Sequence, residues 1–253
     1  LSNYNTPMSL SSLLAHWRAE PTIGGNVIEW HTVPARMEQL ASLPDNLHPA
    51  LTSVLDQRGF TSLYSHQAAV WQHTRQGENV ALVTGTASGK TLAYNLPVLD
   101  RLIQIPEGRA LYLFPTKALA QDQKTELEAF NRLLTDELHF PAGTYDGDTT
   151  HSARPKVRQN ARIIISNPDM LHAGILPHHT RWAEFFANLQ YIVIDEMHTY
   201  RGVFGSHVAN VLRGDPPPQF QNCTKGAPVA HSLLTFGFDV ARSLCFWPRD
   251  LRT

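Results

Sequence analysis

Eight residues, Thr84 to Thr91, read T-G-T-A-S-G-K-T and lie between the apolar run Val80–Val83 and a helical pattern starting near Lys90. A buried strand, a turn of small residues and a helix in that order leave few folds open. Small residues let successive backbone N–H groups close around an anion, and the helix N-terminus adds positive potential. This is the context of a phosphate-binding loop. Its nucleotide-contacting candidates are Thr84, Gly85, Thr86, Ala87, Ser88, Gly89, Lys90 and Thr91. Lys90 would reach the β- and γ-phosphates, and the Thr91 hydroxyl would ligate Mg2+. The common pattern G-x-x-x-x-G-K-[ST] has glycine where this chain has Thr84. The competing reading is an ordinary strand–turn–helix that happens to carry Gly-Lys-Thr.

The texture around the loop favours a layered α/β fold. Apolar strands are expected at Val80–Val83, Ala110–Phe114, Arg162–Ser166 and Gln190–Asp195, with helices between them, including one from Lys117 to Leu134. Strands apolar on both faces and alternating with helices imply a mainly parallel sheet flanked by helices on both sides. Upstream, Leu10, Leu13, Leu14 and Trp17 share one helical face, His48–Arg58 reads as a second helix, and Ser65 starts a third that runs to about Gln76. A further amphipathic helix is expected around Val203–Leu212, and Gly214-Asp215-Pro216-Pro217-Pro218 stops it.

Composition narrows the function classes. The 253 residues carry 21 Lys+Arg against 22 Asp+Glu, so any nucleic-acid binding must come from local sites and not from the field of the whole molecule. Charged residues make up 17%, below the usual ~25%, which argues against wholesale disorder. Cys223 and Cys245 cannot form a Cys-x-x-Cys pair, so a cysteine zinc site is not expected. No apolar run reaches ~20 residues and the N-terminus lacks a signal-peptide pattern, so a cytoplasmic protein without a membrane segment is expected. The first residue is Leu1, as in a fragment.

A second acidic element strengthens the phosphate-loop reading. Tyr191-Ile192-Val193-Ile194-Asp195-Glu196 is an apolar strand ending in two carboxylates, 105 residues downstream of Lys90. In open α/β sheets, ligands bind beyond the carboxyl ends of the strands, where Asp195 would lie. Asp195 would hold Mg2+ and Glu196 would orient and deprotonate an attacking water. With His198, these residues spell Asp195-Glu196-Met197-His198, a DExH box. The chain resembles the N-terminal ATP-binding lobe of superfamily 2 helicases of the DExH type. The resemblance implies a RecA-like P-loop fold, ATP and Mg2+ as ligands, and a catalytic set of Lys90, Asp195, Glu196 and His198. Gln67 stands where the family places an adenine-reading glutamine. Ala87 stands where these proteins often have a second glycine.

The same resemblance assigns nucleic-acid contacts. Pro115, Thr116 and Lys117 open a helix after the strand ending at Phe114, and a hydroxyl, free N–H groups and an ammonium there suit phosphate. Asp146 and Gly147, in Tyr145-Asp146-Gly147-Asp148, and Asn167, Pro168 and Asp169 look like the next two family landmarks. Arg154, Lys156, Arg158 and Arg162 form a basic cluster that reads first as a solvated face. His178-His179 reads as surface, and Trp71, Trp182, Phe185 and Phe186 read as packing residues. Thr84–Thr91, Tyr94-Asn95-Leu96-Pro97, Asn167–Leu171 and Asp195–His207 look most similar to the MrfA-type DNA repair helicases.

These readings divide the chain into an N-terminal extension (1–55), an ATP-binding lobe (56–213) and an atypical tail (214–253). No Ser-Ala-Thr triplet follows His198; Asn222-Cys223-Thr224 does not match it. The partner lobe and its arginine finger, worth ~10³–10⁵ in related phosphoryl transfer, are not expected within these 253 residues. The expectation is therefore the first lobe of an ATP-dependent helicase or translocase, acting on DNA in preference to RNA and needing a second RecA-like lobe for full activity. The alternatives are a non-catalytic binding fragment of a truncated helicase gene, or a P-loop ATPase unrelated to nucleic acids.

Overall fold

The computed structural model describes residues 9–29, 31, 37–85, 88–200, 202, 205, 206 and 232–236. The chain divides into two compact units, Leu1–Glu38 and Gln39–Thr253. In the first, α1 (Leu10–Ala19) is capped by Ser9, whose side chain accepts from the Ser12 N–H, and α2 (Pro21–Gly24) follows with its proline in the first turn. Neither helix buries a residue.

The second unit is built on a parallel sheet. Its strands are β3 (Val80–Leu82), β4 (Arg109–Leu113), β5 (Ala142–Thr144), β6 (Ile163–Ser166), β7 (Leu189–Ile194) and β8 (Ser232–Phe236). They lie in the order β3-β8-β7-β4-β6-β5, and every pairing is parallel. A separate antiparallel pair joins β1 (Leu40–Ser42) to β2 (Ser62–Tyr64).

The central strands are apolar on both faces because both faces are covered. Along β4, Ala110 and Tyr112 face one core cluster while Leu111 and Leu113 face the other. Ile163 and Ile165 of β6 split from Ile164 in the same way. That alternation is the period of a pleated strand, and a one-residue slip would swap the two sets. The register shifts once, between Arg109 and Ala110, which pair with Leu189 and Tyr191. The extra residue, Gln190, explains why Leu189 and Tyr191 pack into opposite clusters although they are two apart.

Helices fill both layers. The helix α5 (Lys90–Gln104) is buried all round, with Leu92, Leu96, Leu99 and Leu102 in the core, as befits a helix enclosed by its neighbours. Around it lie α3 (Pro49–Gln57), α4 (Ser65–Arg75) and α6 (Lys117–Asn131). Residues 39–55, grouped with the extension on sequence grounds, fall in the larger unit, where Leu47, Leu51, Val54 and Leu55 are buried. The opposite layer holds α7 (Ala153–Asn160), the single turn α8 (Pro168–Met170) and α9 (Ala183–Ala187), with Trp182 and Phe185 packed edge to face. The arrangement is the helix-flanked parallel sheet expected from the alternating pattern.

Within the segment 214–253, β8 inserts between β3 and β7. Ser-Leu-Leu-Thr-Phe is too short, and too far from any motif, to announce itself as a strand. The helix expected around Val203–Leu212, the Gly214–Pro218 stop and both cysteines fall outside the described residues, apart from Gly205 and Ser206.

Candidate nucleotide and nucleic-acid site

Because the sheet is parallel, the C-terminal ends of all its strands share one edge. Loop 83–89 follows β3, Pro115-Thr116 follows β4, Tyr145-Asp146 follows β5, Asn167-Pro168 follows β6 and Asp195-Glu196 follows β7. The topology therefore brings the predicted residues to one rim, with the phosphate loop towards one end and the β4, β6 and β5 loops towards the other.

Gly89 closes the phosphate loop in the left-handed conformation (φ 74°) and caps α5. The positive φ favours glycine, and a Cβ there would sit 2.6 Å from Gln67 Nε2 and displace that amide. The Thr84 and Ser88 hydroxyls are 2.6 Å apart and tie the two ends of the loop together. Thr84, the departure from the common glycine, thus acts as a side-chain strut. Thr86 and Ala87 lie outside the described residues, and Gly85 is exposed. Lys90 and Thr91 begin α5, where they are half-buried.

Gln67 takes part in building the loop. Its Nε2 donates to the Gly89 carbonyl (2.9 Å), and its Oε1 accepts from the Tyr64 N–H (2.8 Å). The side chain is 4% exposed. His66 Nε2 lies 2.8 Å from the Ser88 carbonyl, and its ring stacks on Tyr64 at 5.6 Å. The start of α4 therefore holds the second half of the loop through two adjacent side chains, of which only Gln67 was singled out from sequence.

Asp195 is buried at the tip of β7. Its Oδ1 accepts from the Glu196 N–H at 2.8 Å. Burial pushes the Asp195 carboxyl above the usual range; the Glu196 N–H pulls it back, the Glu196 charge raises it, and the attraction of Lys90 lowers it. Lys90 and Asp195 thus sit in one electrostatic neighbourhood. Glu196 has φ 50°, the left-handed region, which costs a non-glycine residue about 1–2 kcal/mol. Its carbonyl accepts from both the N–H and the hydroxyl of Thr199, which hold it there. Strain of this kind is tolerated where it aims a functional side chain. His198 Nδ1 lies 3.0 Å from Glu196 Oε2.

The donor set suits a small hard cation. Thr91 and Asp195 both approach the Tyr94 hydroxyl, so a neutral and a charged oxygen converge beside Lys90. Among the described residues no group of three or more His, Cys, Asp or Glu could hold a metal on its own. Mg2+ in nucleotide sites is held by one or two protein oxygens, with phosphates and water completing the shell.

On the other half of the rim, Thr116 caps α6 by accepting from the Leu119 N–H (3.4 Å), and Asn167 caps α8 by accepting from the Met170 N–H (2.7 Å). Pro115 and Asp146 are half-buried; Thr116, Lys117, Gly147 and Asp169 are exposed, while Pro168 is buried and shapes the turn. The Lys117 ammonium is paired with Asp148, which raises its pKa. Two predicted contact loops are therefore linked, and the linking cation is one assigned to phosphate. If DNA must displace Asp148, Asp148→Asn should tighten single-stranded DNA binding about two- to fivefold at low salt, with the gain lost at high salt. Fluorescence anisotropy across a salt series measures this.

The basic cluster separates. Arg162 donates to the Leu102, Ile105 and Gly108 carbonyls, and Arg154 to the Thr149 and Asp146 carbonyls, so both hold loops in place.

A model of the DEAD/DEAH box helicase family matches residues 64–227. The chain belongs to this family. Among solved structures, that of the DUF1998 helicase MrfA bound to DNA and AMPPNP superposes with a TM-score of 0.79 and 45% identity, covering 91% of this chain and 31% of that one. The Bacillus subtilis protein called uncharacterized ATP-dependent helicase YprA is 54% identical over 74% of this chain and 25% of its own length. The ATP-dependent helicase HRQ1 of Saccharomyces cerevisiae is 36% identical, over 94% of this chain and 23% of its own. The DEAD-box helicase Mss116, at 18% identity and a TM-score of 0.62, shares the fold. The chain spans about a quarter of the length of the curated relatives it matches. Among the described residues no helix is long and apolar enough to cross a membrane.

Proposed function

We propose that this chain is the first ATP-binding lobe of a DNA helicase or translocase, binding Mg·ATP at the β3–β7 half of the rim and single-stranded DNA at the β4–β6–β5 half. The observation that carries the reading is the meeting of Lys90, Thr91 and Asp195 at the N-terminus of α5. A chance Gly-Lys-Thr turn would have no buried carboxylate aimed at it from another strand.

Lys90 and the α5 N-terminus would hold the β- and γ-phosphates, and Gln67, itself buried against the loop, would keep Gly89 in place while lying near the adenine side. Thr91 and Asp195 would hold Mg2+, which when bound supplies neutralisation of the phosphate oxygens. Glu196 would accept the proton of the attacking water. His198, beside the Glu196 carboxylate, would orient it. Pro115, Thr116 and Lys117, with Asp146, Gly147, Asn167, Pro168 and Asp169, would track the strand backbone, which carries affinity without sequence preference. DNA is favoured over RNA by the 45%-identical MrfA, whose structure holds DNA. A role in DNA repair would follow from the same likeness. Stepping along the strand would require a second RecA-like lobe closing over the nucleotide.

The purified 253-residue chain is expected to bind a fluorescent ATP analogue saturably, more tightly with Mg2+, and to bind a labelled oligonucleotide. It is expected to unwind no duplex by itself. Absence of saturable nucleotide binding would overturn the reading; robust unwinding would overturn the need for a second lobe.

A further inference from the structure

A chain of buried polar side chains runs from the DExH tip to the helix that begins at Thr116-Lys117. The Tyr94 hydroxyl of α5, 1% exposed as a residue, lies 2.8 Å from Gln123 Oε1 of α6 and 3.5 Å from Asp195 Oδ2. Gln123 Nε2 donates to Asn95 Oδ1 (2.9 Å), which also accepts from the Tyr112 hydroxyl of β4 (3.0 Å). Asn95 is fully buried and its Nδ2 has no hydrogen-bond partner. Core amides are normally satisfied, because an unpaired buried donor costs about 1–3 kcal/mol. An apolar core would be simpler, so these side chains call for an explanation beyond packing.

The Tyr94 hydroxyl, which Thr91 also approaches, has one hydrogen, and both Gln123 Oε1 and Asp195 Oδ2 can accept it. Donated to Gln123, it leaves the Asp195 oxygen free; donated to Asp195, it releases Gln123. The two arrangements are discrete, and the occupancy of the nucleotide site changes what Asp195 needs. A cation at Asp195 competes for the same carboxylate oxygens and favours donation to Gln123. On the other side, Gln123 lies in α6, the helix capped by Thr116 and opened by Lys117. Anything that shifts α6 moves Gln123 against Tyr94. Both ends of the rim therefore bias one hydrogen bond, which is what a coupling free energy between two sites requires.

We propose that Tyr94 is a positioning residue whose hydroxyl couples nucleotide occupancy at Asp195 to the nucleic-acid-side helix through Gln123. The proposal rests on the nucleotide and DNA assignments above.

The test uses the 253-residue chain. The side-chain amide resonances of Gln123, identified by their loss in Gln123→Met, should move when Mg·AMPPNP is added. In Tyr94→Phe they should stay within a fifth of that displacement, while nucleotide affinity changes less than about threefold. Single-stranded DNA should raise nucleotide affinity about fivefold in the parent and less than twofold in Tyr94→Phe and Gln123→Met alike. The Tyr94→Phe/Gln123→Met double variant should lose no more than either single one. A full displacement in Tyr94→Phe, or an unmoved Gln123 in a parent that binds nucleotide, overturns the proposal. So does a Tyr94→Phe variant that merely melts lower while keeping the parent's DNA effect. A parent that binds no nucleotide overturns the functional reading instead, which keeps the two failures apart.

Discussion

Glu196→Gln is expected to leave Mg·ATP affinity within about twofold of the parent and to slow single-turnover hydrolysis by about 10²–10⁴-fold, the usual contribution of a positioned general base. The substitution keeps the length and shape of the side chain. The left-handed backbone at φ 50° is set by the Glu196 carbonyl and Thr199 and so should survive. The Asp195 Oδ1 contact to the backbone N–H of residue 196 should survive as well. What is lost is the ability to take a proton. Because the lone lobe is expected to turn over slowly, radiolabelled ATP with enzyme in excess is the appropriate measurement. Equal loss of binding and hydrolysis would mean that Glu196 holds the site together and is not its base.

Lys90→Ala should act on binding itself. The α5 N-terminus and the backbone of the loop remain, but the ammonium beside the phosphates is gone. A charge-assisted hydrogen bond is worth about 1.5–3 kcal/mol, so affinity for Mg·ATP should fall about ten- to a hundredfold. Lys90 also lowers the Asp195 pKa, so its removal leaves a buried carboxylate that ionises less readily. The Mg2+ enhancement of binding should therefore shrink in the variant, most visibly at the acid end of the range. Titration of a fluorescent ATP analogue with and without Mg2+ across pH checks both. An affinity within threefold of the parent would place the phosphates elsewhere.

The phosphate loop and the DExH tip were legible because each joins an apolar run to a turn of special composition. Such junctions are local and survive in one dimension. The strands β4, β6 and β7 were legible for the same reason, to within a residue or two at their ends. The edge strand β5, Ala142-Gly143-Thr144, was not, since it has no apolar run and borrows its regularity from Ile163–Ile165 beside it. The Tyr94–Gln123–Asn95–Tyr112 network was invisible because helical period gives the face of a side chain and not what it meets across the core. Gln67 stands out in the sequence by its position before the loop, but its bond to Gly89 depends on how α4 approaches α5 in space. The pairing of Lys117 with Asp148 was invisible for the same reason, because Asp148 lies 31 residues on.

The place of β8 has a consequence for how the polypeptide matures. Among the described residues, β3 pairs within the sheet only with β8, with Ala81 opposite Thr235. Contacts so distant along the chain form late, because a long loop must close before they are rewarded. During synthesis the strands β4 to β7 can pair as they emerge and present the DExH tip and the loops after β4, β5 and β6. The strand that launches Thr84–Thr91 stays at an unfinished edge until residues 232–236 leave the ribosome. A released chain ending in the 220s should thus hold the β4–β7 half of the sheet and no competent nucleotide cradle. Acquisition of ATP binding would then be the last event of folding and a report that the sheet is complete.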